Sequence, residues 1–175
     1  MRKNIINIGL VCVVILLSLI GCDNDIGQEQ PSVIEGQSFP DLKLRSLDGQ
    51  IVALSDFRGK LLVVNIWATW CGPCRRELPS LESLDKLLDD EKFAVLGVSI
   101  DEDALLVREY LSDKGITLPV YFNEEGVLDY SALGINVFPY TFIISPDGRL
   151  LDRFAGEEVW NSAEVVHDLK ERLTP

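Results

Sequence analysis

The feature that most constrains this chain is a strand-like segment that runs into a helix-like one, with two cysteines at the junction. Residues 61–66 are aliphatic apart from one asparagine, a pattern typical of a strand buried on both faces of a sheet. After residue 73, leucines recur at steps of three and four positions, which predicts a helix with one apolar stripe. These leucines are Leu78, Leu81, Leu84 and Leu88.

The rest of the chain predicts an α/β fold. We expect strands at 93–100 and 117–122, and helices at 103–114, 124–133 and 162–173. Turn residues at 48–49 and 145–148 lie between alternating runs and favour two hairpins, at 41–54 and 141–154. This order implies a mixed sheet with parallel centre strands, an antiparallel edge pair and helices on both faces.

Length and charge exclude several functions. The 175 residues fit one domain, and the net charge of −12 comes from 28 acids against 16 bases. Such a surface repels phosphate backbones, so nucleic-acid binding is excluded. The single histidine, His167, excludes zinc and copper sites that need two or more imidazoles.

The first 35 residues are interpreted as an export signal followed by a flexible tether. A basic start and an apolar run at 5–20 are typical of an export signal, and the Leu-Ile-Gly-Cys at 19–22 resembles the lipobox of bacterial lipoproteins. We therefore expect a lipoprotein signal peptide at 1–21, a lipid on Cys22, a flexible tether at 22–35 and a folded domain at 36–175. An uncleaved membrane anchor and plain secretion are the alternatives.

Processing would leave two thiols in the mature chain. Of the four cysteines, Cys12 would leave with the signal peptide and Cys22 would carry the lipid. Cys71 and Cys74 remain, and they would lie outside the cytoplasm, where disulfides form and persist.

The Cys-Gly-Pro-Cys sequence at 71–74 is suited to thiol-disulfide exchange. A cysteine at a helix start meets unpaired backbone N–H groups and the positive end of the helix dipole, and both favour the nucleophilic thiolate. We expect Cys71 to attack and Cys74, one turn inside the helix, to resolve the mixed disulfide. Pro73 suits the first turn because its missing N–H would be unpaired there.

Three other interpretations of the pair are weaker. Half of a zinc site would need a second pair of ligands, and none survives processing. Haem attachment needs a histidine after the second cysteine, where Arg75 stands. An inert structural disulfide would close so short a loop that it would contribute little to stability.

The motifs together resemble a known family. The Trp-Cys-Gly-Pro-Cys at 70–74 and the Phe-Pro at 138–139 are similar to the thioredoxin superfamily. Residues 36–41, 54–60 and 64–71 resemble its TlpA/ResA-like branch of membrane-tethered thiol-disulfide oxidoreductases. The resemblance covers residues 36 to about 156 and implies a thioredoxin-like fold with an extra amino-terminal β-hairpin.

The resemblance also implies roles for individual residues. Pro139 matches a cis-proline that faces the attacking cysteine and helps hold substrate as an added strand. Glu77 matches a glutamate that relays a proton when Cys74 is deprotonated, although an acid at this place could also simply favour the helix dipole. Asn65 stands where thioredoxin has a buried aspartate, so either Glu77 or water must take the proton. The residues expected at the motif and the substrate rim are Trp70, Gly72, Pro73, Phe138 and Tyr140, while Trp67 is expected in the core.

The function that follows is an extracytoplasmic, lipid-anchored enzyme that reduces disulfides in partner proteins. A membrane thiol reductant would restore the dithiol, no metal or organic cofactor is expected, and apocytochrome c is the expected substrate through cytochrome c maturation. Two alternatives are a thiol peroxidase, since peroxiredoxins share this scaffold, and a copper-binding lipoprotein without enzymatic activity.

Overall fold

The computed structural model describes residues 33–123 and 128–173. The strands are β1 (Lys43–Ser46), β2 (Ile51–Ala53), β3 (Leu61–Trp67), β4 (Phe93–Ser99), β5 (Val120–Phe122), β6 (Tyr140–Ile144) and β7 (Leu150–Ala155). The α-helices are α1 (Gly72–Leu87), α2 (Ala104–Lys114), α3 (Tyr130–Leu133) and α4 (Ala163–Glu171), and a 3-10 helix covers Leu54–Phe57.

The strands form one mixed sheet in the order β2-β1-β5-β4-β3-β6-β7. The centre is parallel, because β3 pairs with β4 and β4 with β5 in the same direction. The hairpin of β6 and β7 adds antiparallel strands beside β3, and the hairpin of β1 and β2 adds them beside β5. The predicted mixed sheet and the extra amino-terminal hairpin are confirmed.

The helices are divided unevenly between the two faces of the sheet. The chain steps from β3 through α1 to β4, and through α2 to β5, in the same direction across the sheet. Right-handed crossovers that step in one direction put both helices on one face. Leu81 of α1, Val107 of α2 and Leu169 of α4 accordingly share one apolar cluster. The other face carries α3, the 3-10 helix and the segment before β1, so the predicted two-faced architecture is confirmed.

The apolar stripe of α1 is buried as the leucine spacing predicted. Leu78, Leu81 and Leu84 are fully buried against the central strands. Trp67, at the end of β3, is also fully buried, which confirms its predicted place in the core. Its indole lies over Gly97 of β4, where an added Cβ would come within 3.0 Å of Trp67 Nε1.

The packed part of the chain begins before the predicted domain boundary at residue 36. Val33 is buried, its N–H donates to the carbonyl of Ala132, and its own carbonyl accepts from the Arg153 guanidinium. These contacts attach the last residues of the predicted tether to the domain. The predicted signal peptide, Cys22 and the rest of the tether lie outside the described residues, as do residues 124–127 of the predicted helix 124–133.

Within the described ranges, no helix combines the length and the apolar character that crossing a bilayer requires.

Replacing Leu81 by alanine is expected to lower the free energy of unfolding by about 3 kcal/mol, because it leaves a cavity in the cluster under α1. Urea unfolding followed by circular dichroism measures this loss. Leu87→Ala is the matched control on the same helix, since Leu87 is 53% exposed, and it is expected to change stability by less than about 0.5 kcal/mol. Equal losses in the two variants would contradict this account of the core.

Candidate active site

The two cysteines lie at the start of α1, directly after the central strand ends. Cys71 is the N-cap residue, and its Sγ accepts a hydrogen bond of 3.2 Å from the backbone N–H of Cys74. The two side chains form a disulfide, with their Cα atoms 5.3 Å apart. Cys74 is fully buried, whereas Cys71 retains 6% of its surface. Once the pair is reduced, the same N–H and the helix dipole would stabilise a thiolate at Cys71.

The residues between the cysteines lie as the motif predicted. Gly72 is the first residue of α1, and Pro73 lies in its first turn. A proline there leaves no helix hydrogen bond unmade, since the first backbone N–H groups have no partner within the helix.

A carboxylate at the end of the neighbouring strand fixes the turn that leads to Cys71. Asp101 follows β4, and its oxygens accept from the N–H of Thr69 at 2.9 Å and from the Thr69 hydroxyl at 2.6 Å. The Ser99 hydroxyl donates to the same carboxylate at 2.8 Å. The sequence interpretation missed Asp101, because only the parallel register of β3 and β4 brings it to residue 69.

Glu77 lies in the second turn of α1, and its side chain is buried against the sheet. Its Oε1 accepts from the amide of Asn65 at 2.5 Å, and its Oε2 accepts from the N–H of Glu158 at 2.9 Å and the indole N–H of Trp160 at 3.2 Å. The side chain therefore contacts the centre of the sheet and the segment after β7. Trp160 is separated from Glu77 by 83 residues, and no sequence motif indicated this contact.

Burial changes the acidity of this carboxyl. Desolvation raises the pKa of Glu77 to about 7, against the opposing effect of the hydrogen bonds from Glu158, Asn65 and Trp160. The negative charge of Glu157 raises the pKa further. A carboxyl with this pKa changes its charge near neutral pH.

Asn65 occupies the centre of this polar cluster. Its amide nitrogen donates both to Glu77 and, at 2.8 Å, to the Thr141 hydroxyl on β6. Its carbonyl oxygen has no hydrogen-bond partner among the described residues. The asparagine that stands at the place of thioredoxin's aspartate is therefore in direct contact with Glu77.

Apolar side chains surround the accessible side of the pair. The bond between Phe138 and Pro139 is cis, as the resemblance implied, and Pro139 lies next to the pairing of Ile66 with Tyr140. Trp70 is 64% exposed, and its ring meets that of Phe138 edge-on with centroids 6.3 Å apart. Trp70 and Phe138 are therefore in contact with each other, and their place at a substrate rim stays a prediction.

Tyr140 does not belong to that rim. It is only 4% exposed, and its ring packs against Phe142 with centroids 5.1 Å apart. Residues two apart on a strand share a face, so Tyr140 points with Phe142 into the core on the face opposite α1.

His167 is exposed on α4. Among the described residues, no three histidine, cysteine, aspartate or glutamate side chains converge as a metal site requires.

Known proteins resemble the chain over most of its length. The family model described as Redoxin matches residues 34–171. The thioredoxin-like protein YneN of Bacillus subtilis is 33% identical over 81% of this chain and 84% of its own. The thiol-disulfide oxidoreductase ResA of the same organism is 27% identical over 99% of this chain and 95% of its own.

Solved structures agree with this assignment. A secreted thiol-disulfide isomerase of Corynebacterium glutamicum superposes with a TM-score of 0.66 at 26% identity, covering 75% of this chain and 84% of its own. The exposed lipoprotein thioredoxin of Streptococcus pneumoniae gives 0.65 at 25% identity, covering 75% and 99%. With a cysteine pair at the helix start and a cis-proline before β6, the chain belongs to the Redoxin family, as a ResA-like thiol-disulfide oxidoreductase of the thioredoxin superfamily.

Proposed function

We propose that this protein is an extracytoplasmic, lipid-anchored reductase of protein disulfides. The observation that carries the proposal is the Cys71–Cys74 disulfide at the start of α1, with Cys71 as the more accessible sulfur. The exposed ring of Trp70 beside it offers an apolar surface to a partner protein, which a small-molecule substrate would not need.

The reaction would proceed through two exchanges between sulfur atoms. The Cys71 thiolate attacks one sulfur of the partner's disulfide, and the other partner sulfur leaves as a thiolate. The Cys74 thiolate then attacks Cys71, which releases the second partner sulfur and forms the Cys71–Cys74 disulfide. Two electrons pass to the partner, and a membrane dithiol would return the pair to its reduced form. The sulfur pair itself carries the electrons, so the step needs no metal or organic cofactor.

We assign to Glu77 the role of accepting the proton that Cys74 loses. Glu77 lies three positions further along α1, which is one turn of the helix, and both side chains are buried. Cys74 must lose its proton before it can resolve the mixed disulfide. A carboxyl whose pKa is near 7 can accept a proton and give it up again at physiological pH.

The reducing direction rests on the dipeptide between the cysteines. Gly72 and Pro73 are shared with thioredoxin, whose reduction potential is about −270 mV. Pro139, next to the end of β3, would hold the partner chain as an added strand.

The location and the pathway rest on relatives and on the amino-terminal motif. Similar proteins are described as a secreted isomerase and as an exposed lipoprotein, and Cys22 lies at the lipobox-like site. The resemblance to the ResA-like branch supports apocytochrome c as the substrate and cytochrome c maturation as the pathway.

A Cys74→Ser variant is expected to accumulate a covalent adduct with its partner, because the mixed disulfide at Cys71 can no longer be resolved. Non-reducing electrophoresis followed by mass spectrometry identifies the adduct, and the Cys71→Ser variant is the matched control that should trap nothing. Equal trapping by both variants would contradict the assigned order of attack. A reduction potential near about −120 mV, the range of an oxidant, would reverse the direction.

A Glu77→Gln variant is expected to slow the resolution step by about a hundredfold and to remove its dependence on pH near 7, because the amide cannot accept the proton. Stopped-flow measurement of adduct decay gives this profile. Glu82→Gln is the control: the pKa of Glu82 is lowered to about 2, against the effect of its desolvation, by hydrogen bonds from Lys86, Thr117 and Leu118. The rate of adduct decay in Glu82→Gln should therefore keep a pH dependence with its midpoint near pH 7.

The same carboxyl sets a pH dependence of stability. The pKa of Glu77 is raised in the folded protein, so the native state binds this proton more tightly than the unfolded chain does. Its contribution to stability is complete below about pH 4.5 and is lost as the pH rises through about 7. Urea unfolding across this range should show the loss in the wild type and not in Glu77→Gln. An identical loss in both proteins would assign it to other groups.

Replacing Cys22 by alanine is expected to abolish lipid labelling of the protein, since the lipid would have no attachment site. Metabolic labelling with a palmitate analogue measures this. Labelling that persists in Cys22→Ala would contradict lipidation at this residue, and Cys12→Ala serves as the control that keeps the label.

A further inference from the structure

A groove between α1 and α2 lies beside the redox pair. It has a volume of about 540 Å³, within the range of ligand-binding clefts. Gly72 contributes to its wall and lies between the two cysteines. One end of the groove, at Gly72, therefore lies next to the disulfide.

The groove, which we call the basic groove, carries a net charge opposite in sign to that of the whole chain. Its lining includes one acid, Glu82, and four bases, which are Arg75, Arg76, Lys86 and Lys114. The whole chain has 28 acids and only 16 bases. A local reversal of this kind, between walls of low dielectric constant, attracts anions that the rest of the surface repels.

Two of the four bases are available to a ligand. Lys86 pairs with Glu82 at 2.5 Å, and Arg76 pairs with Glu157 at 2.5 Å. Arg75 and Lys114 are exposed, on α1 and α2 respectively, and no ion pair joins either to a residue in 33–123 or 128–173. Two unpaired cations thus line the groove from its two helices.

We propose that the basic groove binds an acidic segment of the protein whose disulfide is exchanged at Cys71. The inference rests on the proposed function and adds a preference for the charge of the substrate. The guanidinium of Arg75 suits a carboxylate, which it can bind with two parallel hydrogen bonds. Because Gly72 belongs both to the groove and to the Cys-Gly-Pro-Cys turn, a bound segment would be continuous with the chain that carries the attacked sulfur.

The test compares two disulfide-bonded peptides that differ only in a run of glutamates or glutamines near one cysteine. At low salt, the wild-type protein is expected to reduce the glutamate peptide with a kcat/KM about tenfold higher, the effect of a few exposed charge pairs. High salt should remove the preference, because it screens exposed charges.

Charge reversal at the groove should reverse this selectivity. Arg75→Glu with Lys114→Glu is expected to favour the glutamine peptide, and Arg75→Gln with Lys114→Gln should show no preference. The matched control is Lys43→Glu with Lys92→Glu, which changes the net charge equally at exposed bases outside the groove and should retain most of the preference. Thermal unfolding establishes that each variant is folded.

Each outcome separates the inference from the proposed function. If the wild type reduces neither peptide, the reductase proposal fails. If it reduces both with equal kcat/KM at low salt, the groove inference fails while the reductase stands. Binding to anionic lipid vesicles that is lost in Arg75→Glu with Lys114→Glu, without a change in peptide selectivity, would assign the groove to lipid headgroups and overturn the proposal.

Discussion

The buried strand β3 is the element on which the rest of the structure depends. All seven of its residues are buried, and it is paired along its length with β4 on one side and β6 on the other. Its end fixes where α1 can begin, and so makes Cys71 the N-cap residue. The parallel register with β4 brings Asp101 to the turn before Cys71, and the antiparallel register with β6 brings Pro139 to the end of the strand. The register of the sheet thus assembles the site.

The polar cluster around Glu77, between α1 and the sheet, shows how the fold provides an acid that titrates near neutral pH. Asn65 on β3 donates to Glu77, while the residues after β7 donate to the other carboxylate oxygen. These three donors favour the charged form, and burial favours the neutral form more strongly. In thioredoxin a buried aspartate stands on the strand at the place of Asn65. Here an amide occupies that place, and the carboxylate reaches it from the helix.

Local sequence patterns predicted the helices and strands. Contacts between residues far apart in the sequence were not predictable from these patterns. Each of the patterns used spans only a short stretch of sequence: the leucine spacing of α1, the turn at Asp48 and the disulfide motif. The strands, helices and cysteine pair were therefore predictable. The contact of Trp160 with Glu77 depends on how α4 and β7 pack, and local patterns carry no such information. Tyr140, predicted at the rim, is different: it lies two positions from Phe142 on the same strand, so local alternation alone agrees with the buried side chain that the structure shows.

The surroundings of Cys71 combine two interactions that differ in range. The contact of Trp70 with Phe138 offers apolar area, and burial of such area is strong but does not depend on the direction of approach. Charges act over about 10 Å at moderate salt and set orientation before contact. A chain with a net charge of −12 would repel an acidic partner from nearly every direction. With the basic groove beginning at Gly72, approach of such a partner would be favoured on the side of the cysteine pair, so the apolar side chains there need not be selective themselves.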